Sequence, residues 1–229
     1  LADRGDSTAL ATVTSAVSSS EPTISLAAVD ALGAIGNATS VPQLAELAAK
    51  GDAEIQSTAR ASLAEMRGED VDSAIAASID KGDATVRREL ARALGSRRTK
   101  SAIPALLLAA ADADSSVRAE GFASLAAIAP ADQLKPIVEL LAIEQDDITR
   151  AEGEKAALAV LSRNNDPAFA AATVMSALPD VKQGIPAYCS ILRVAGKIND
   201  PTAYDALVGA AELKNTDVRT TAVRALSDW

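Results

Sequence analysis

The 229 residues include no histidine, a single cysteine, and only one Trp, two Tyr and two Phe. Without histidine there is no Ser-His-Asp or Cys-His nucleophilic site, no imidazole metal ligand and no imidazole acid or base. With Cys189 alone, an intramolecular disulfide framework and a cysteine-based zinc site are both excluded. Long apolar runs are missing too. The most apolar stretch, Ala102–Ala111, is far shorter than the ~20 residues of a membrane span, and Pro104 interrupts it. Positive charge is scarce: the net charge is -9 and the pI about 4.6, which argues against a phosphate-binding surface spread over the molecule. The N-terminus shows no signal-peptide pattern and begins at Leu1 without an initiator Met, so the sequence reads as a mature product or an excised piece.

What the chain has in abundance is alanine, 52 residues of it. Alanine is the best helix former, and its small side chain lets helices approach closely. No stretch shows period-2 alternation of β-branched residues, so the chain reads as all-helical, built of many short, tightly packed helices.

A fixed period organises these helices. Ile24, Ile55, Val86, Val117 and Ile148 are each 31 residues apart. Leu32, Leu63, Leu94 and Leu125 repeat at the same spacing, as do Leu44, Ile75, Leu106 and Ile137. Each period predicts two helices. In the third, Asp70–Lys81 carries Val71, Ile75 and Ile79 on one face. Gly82-Asp83 makes a turn with Asp83 as N-cap, and Val86–Leu94 forms a second helix stopped at Gly95. Ser101–Ala111 opens the fourth, with Pro104 in its first turn, and Asp114 starts a partner helix reaching about Ala129. After Ile148 the phase loosens but the unit persists. Arg118-Ala119-Glu120-Gly121 recurs as Arg150-Ala151-Glu152-Gly153, and Asn165-Asp166-Pro167 as Asn199-Asp200-Pro201. First helices near residues 6, 41, 70, 101, 132, 167 and 201 give about seven pairs. A unit this small cannot bury its own apolar face, so neighbours must stack.

Asp83-Ala84-Thr85-Val86-Arg87, followed by Leu90, Ala91, Ala93, Leu94 and Gly95, resembles the second helix of a HEAT repeat, and more narrowly the short repeat named after phycobilisome lyases. Asp114-Ser115-Ser116-Val117-Arg118 is a second match and Asp217-Val218-Arg219 a partial one. The pattern departs at Gln56 and Thr149, which stand where arginine is expected, and at Glu152, which predicts a fifth pair shifted by about one residue. The resemblance implies one domain over residues 1–229: an all-α, right-handed α-solenoid of about seven antiparallel helix pairs, first helices convex and second helices concave. It gives Asp83, Arg87, Asp114, Arg118, Asp217 and Arg219 a structural role, bonding between neighbouring repeats.

Counting from the anchor Val or Ile, offsets 0, 1, 4, 5 and 8 point into the stack and offsets 2, 3 and 6 into the concave groove. That places Asp30, Arg88, Glu89, Arg92, Glu120, Thr220, Thr221 and Arg224 on the groove, with Leu26, Ala27, Ala61, Ala119 and Ala123. Of these, Asp30, Arg88, Glu89, Arg92, Glu120 and Arg224 are the candidate partner-binding residues. Arg88, Glu89 and Arg92 form its one charge cluster, readable as an anion contact on a partner or as a solvated face with local ion pairs.

Other motifs offer little chemistry. Cys189, beside Tyr188, reads as an inert buried residue, with Lys182, seven residues away, one of the few cations that could activate it. The aromatics Phe122, Phe169, Tyr188, Tyr204 and Trp229 are too scattered for a base-stacking platform. Ser78-Ile79-Asp80-Lys81 lacks the companion motifs of penicillin-recognising enzymes. Asn37-Ala38-Thr39 is a loop sequon, and Arg4-Gly5-Asp6 a helix-entry turn capped by Asp6. No catalytic, cofactor or metal residue emerges. The expected function is a non-catalytic scaffold that binds a protein or peptide, or neighbouring domains of the same chain, on the concave face. The alternatives are a chaperone-like lyase or accessory subunit, by fold analogy with bilin lyases, and nucleic-acid binding, which the acidic charge disfavours. No polar cap follows Ala225-Leu226-Ser227-Asp228-Trp229, which suggests a longer natural protein. A loose likeness to large exported bacterial proteins leans towards export, with the cytoplasm as alternative.

Overall fold

Short polar side chains open the second helix of most pairs. Asp52, Asp83, Asp114, Asp146 and Asn215 each accept hydrogen bonds from backbone N–H groups of the first turn that have no partner within the helix. Asp166 and Asp200 do the same for two first helices, each with proline in the opening turn as the Asp-Pro spacing predicts.

The computed structural model describes residues 7–180 and 184–229. Among these are fourteen α-helices and no strand. The first helices are α1 (Ser7–Ala16), α3 (Val41–Lys50), α5 (Glu69–Ala76), α7 (Ile103–Ala109), α9 (Leu134–Ile143), α11 (Pro167–Ser176) and α13 (Pro201–Ala211). The second helices are α2 (Pro22–Ile35), α4 (Ala53–Glu65), α6 (Ala84–Arg97), α8 (Ser115–Ile128), α10 (Asp147–Leu161), α12 (Ile185–Ala195) and α14 (Thr216–Ser227). The order matches the seven expected pairs. Asp6 and the Arg4-Gly5-Asp6 turn lie outside the described residues, as does Lys182.

The chain divides into two compact units, Leu1–Ala109 and Ala110–Trp229. In the first, second helices α2, α4 and α6 pack in sequence, with α3 against both α4 and α6. In the second, α8, α10, α12 and α14 pack in the same manner, backed by α9 and α13. Two of the predicted columns form the cores. Leu32, Leu63 and Leu94 are buried with Leu44, Ile75 and Leu106 in the first unit, and Leu125 and Ile137 in the second.

The anchor column is less regular. Val86 and Val117 are buried, but Ile148 is 74% exposed, because the fifth pair slips by one residue. Thr149 takes the buried place and its Oγ1 donates to the Ser115 carbonyl (3.1 Å). Ile24, in the first turn of α2, is 50% exposed; that turn is held instead by Ser25 Oγ, which donates to the Val17 carbonyl (2.7 Å).

Three predicted boundaries also move. The helix expected over Asp70–Lys81 ends at Ala76 and continues as tight turns to Gly82, whose φ of +79° suits glycine. Gly95 is no stop: α6 runs through it to Arg97 and ends at Arg98 in the left-handed region. Ser101–Ala111 is a 3-10 turn over Lys100–Ala102 followed by α7.

Candidate functional site

The repeat arginine acts first on its own turn. Arg87 donates to the Gly82 carbonyl (2.9 Å). Arg118 donates to the carbonyls of Asp112 and Ala113 (3.0 Å each), and Arg150 to that of Gln145 (3.3 Å). Arg150, one residue past the buried Thr149, is therefore the repeat arginine of the fifth pair, displaced by one position. Gln56 fills the same place in the second pair, its amide donating to the Gly51 carbonyl (2.9 Å).

Asp83 and Arg118, among the proposed ladder residues, also reach a neighbouring repeat. Asp83 pairs with Lys50 of α3 (2.8 Å), and this contact holds its carboxyl well below the usual range. Arg118 grips Glu144, after α9, through Nε and Nη2 (2.7 and 2.9 Å). Burial opposes ionisation of Glu144, but bonds from Arg118 and from the Asp146 and Gln145 amides outweigh it and keep its carboxyl below the ordinary value. Asp114 serves as a cap. Asp217 and Arg219 are exposed, and Asn215, not Asp217, caps α14.

Further cross-repeat bonds join second helices. Arg97 donates to the Leu63 and Met66 carbonyls at the end of α4 (2.9 and 2.8 Å) and pairs with Asp72. Arg163 donates to the Ala126 and Ala129 carbonyls at the end of α8 (2.6 and 2.7 Å). These arginines satisfy helix-end carbonyls and complement the helix dipole. Glu154 of α10 accepts from Ser190 Oγ (2.6 Å) and Arg193 Nε (2.8 Å) of α12. Burial works against its ionisation, yet Arg193 and Ser190 lower its pKa on balance.

The most concentrated charge lies between α4 and α6. Glu89, assigned by its offset to the groove, has a side chain that is 0% exposed. Arg60 of α4 reaches its two carboxylate oxygens through Nε (2.8 Å) and Nη2 (3.0 Å). Arg92 donates Nη1 to both oxygens at 3.0 Å. Arg88 reaches one of them only at 3.5 Å, and its enclosed Nε has no hydrogen-bond partner. The three arginine side chains remain about one-third exposed. Glu89 is therefore not part of a solvated face; it is the buried hub that orients Arg60 and Arg92, with Arg88 at its margin.

Arg60 was not among the sequence candidates, although it carried a signal. It stands five residues after Ile55, an inward offset that α6 fills with buried Ala91 and α8 with buried Phe122. A charged residue at an inward position demands a buried partner. Glu154, five after Thr149, obeys the same rule.

The remaining candidates scatter. Asp30 is exposed on α2 and lines a depression with Gly33, Ala61, Ser62 and Arg67. Glu120 is half-buried on α8 and lines another with Ala119, Ala123, exposed Ile148 and Glu152. Arg224 is exposed on α14, as is Thr220. Cys189 is buried among Leu192, Leu207, Val218 and Ala222. Tyr204 and Trp229 meet edge to face at 5.6 Å, while Phe122 is fully buried. Among the described residues, no Asp, Glu and Cys cluster could hold a metal ion, and no helix is long and apolar enough to cross a membrane.

No curated protein matches the sequence significantly. Among solved structures, the CpcE–CpcF complex of phycocyanin lyase from Nostoc sp. PCC7120 is similar at a TM-score of 0.42 and 16% identity, over 95% of this chain and 75% of that one. An engineered protein is similar at a TM-score of 0.43 and 19% identity, over 96% of this chain and 97% of that one. Both are too distant to carry a function across. The family model for HEAT repeats matches residues 1–64 and 71–159. With its paired helices and recurring cap-and-arginine turns, the chain belongs to the HEAT-repeat family.

Proposed function

We propose that this chain is a non-catalytic interaction module that holds a protein partner on the exposed face of its second helices. HEAT and related repeats present such surfaces for binding. The observation that carries the reading is the make-up of that face. Ala27, Ala34 and Ala61 in the first unit and Ala123 in the second are exposed small residues that admit close approach. Beside them in the first unit, Arg60 and Arg92 are held in place by Glu89 before any partner arrives. Preorganised side chains lose less entropy on binding than free ones. The buried, apolar setting of Cys189 supports the non-catalytic part of the reading.

The test is co-purification from the source cell. Ala61→Glu and Ala123→Glu should each abolish capture of the partner, whereas Glu46→Ala and Lys135→Ala on first helices should leave it intact. Loss through the first-helix changes alone would overturn the proposal.

A further inference from the structure

We propose that the guanidinium cluster around Glu89 is a carboxylate-binding site that receives an acidic segment of the partner. This rests on the interaction-module reading and names the chemistry of what is held. Glu89 and its three arginines together carry a charge of +2, counting three guanidinium groups against one carboxylate, within a chain of net charge -9. Arg60 and Arg92 make the close bonds to Glu89. Arg88 is the loosely held member: its 3.5 Å contact is marginal and its enclosed Nε donates to nothing.

An enclosed N–H without an acceptor is rare, and here it belongs to a side chain still one-third open to solvent. A small turn of Arg88 would offer that Nε–H and an adjacent Nη–H as the two-pronged donor that matches a carboxylate. Glu89 keeps Arg60 and Arg92 when Arg88 turns away, so the cluster stays assembled. A polyanion such as nucleic acid meets the repulsion of the whole acidic chain, whereas a short peptide bringing one or two carboxylates meets little of it.

The experiment is an NMR titration of the arginine Nε–Hε signals in the full 229-residue chain, with hexaglutamate as the probe and inorganic phosphate in a parallel arm. Hexaglutamate should shift the Arg88 signal saturably, and more weakly as salt is raised. Arg88→Gln should weaken binding, followed on α6 amide signals, about tenfold. Arg88→Lys, which keeps the charge and loses the fork, should fall between the two. Both variants should leave amide spectra elsewhere unchanged, since Glu89 retains its closer partners. No saturable shift with hexaglutamate, equal affinity in Arg88→Gln, or binding of phosphate in place of the peptide would each overturn the assignment. If partner capture still depended on Ala61 and Ala123, the interaction-module reading would survive that failure.

Discussion

Replacing Glu89 with glutamine removes the carboxylate that three guanidinium groups share and leaves like charges crowded between α4 and α6. Breaking a buried ion pair from one side costs ~3 kcal/mol or more. Urea unfolding of Glu89→Gln should show a loss of that size, while Arg88→Gln, which gives up one marginal contact, should stay within ~0.5 kcal/mol of the parent. Equal effects of the two would contradict the geometry. The cap residues make a smaller claim: Asp114→Ala should cost ~1 kcal/mol, because the Ser116 and Val117 amides lose their acceptor. The sequence offset turned Glu89 towards the groove, whereas its side chain is buried, since a wheel assigns a direction to each Cβ and says nothing of neighbours on the next helix. Arg60 lies 29 residues upstream of Glu89, close to one repeat, and only stacking brings the two together.

Helix against helix, the small residues decide the spacing. A Cβ on Gly33 would stand 2.7 Å from Ser62 Oγ and 2.9 Å from Ser62 Cα, so α2 and α4 touch at backbone distance. Gly33→Val should force them apart, lowering the thermal midpoint and breaking the bond from Ser62 Oγ to the Val29 carbonyl (3.0 Å). Differential scanning calorimetry on that variant checks the packing; an unchanged midpoint would contradict it. The slip in the fifth pair gives a sharper contrast. Ile148→Lys should be tolerated, because Ile148 is exposed, whereas Thr149→Val should lose ~1 kcal/mol with its bond to the Ser115 carbonyl. Leucine columns were legible from the period because stacked cores need apolar residues at fixed intervals. Gly95 misled because a glycine that packs inside a helix looks, in sequence, like one that ends it.

Across the whole molecule, acidic groups tied to arginines link stability to pH. Glu144 and Glu154 both titrate below the ordinary glutamate value of 4.5. Between the lowered and the ordinary value the unfolded chain binds more protons than the folded one, so stability rises with pH there. Their contribution is complete above about pH 4.5 and lost as pH falls through the lowered values. The urea midpoint should therefore drop between pH 6 and pH 3, and Glu144→Gln should flatten part of the drop. Fold and family were legible at this scale because repetition multiplies weak local signals. The candidate site was not fully legible, because it is made by two repeats meeting at non-equivalent residues.

Photo-crosslinking tests the central claim most directly. A benzophenone side chain placed at Ala27, Ala61 or Ala123 on second helices, or at Glu46 or Lys135 on first helices, reports which face meets the partner in the cell. The account predicts discrete protein adducts from the second-helix positions and none from the first. Adducts confined to Glu46 and Lys135 would contradict it.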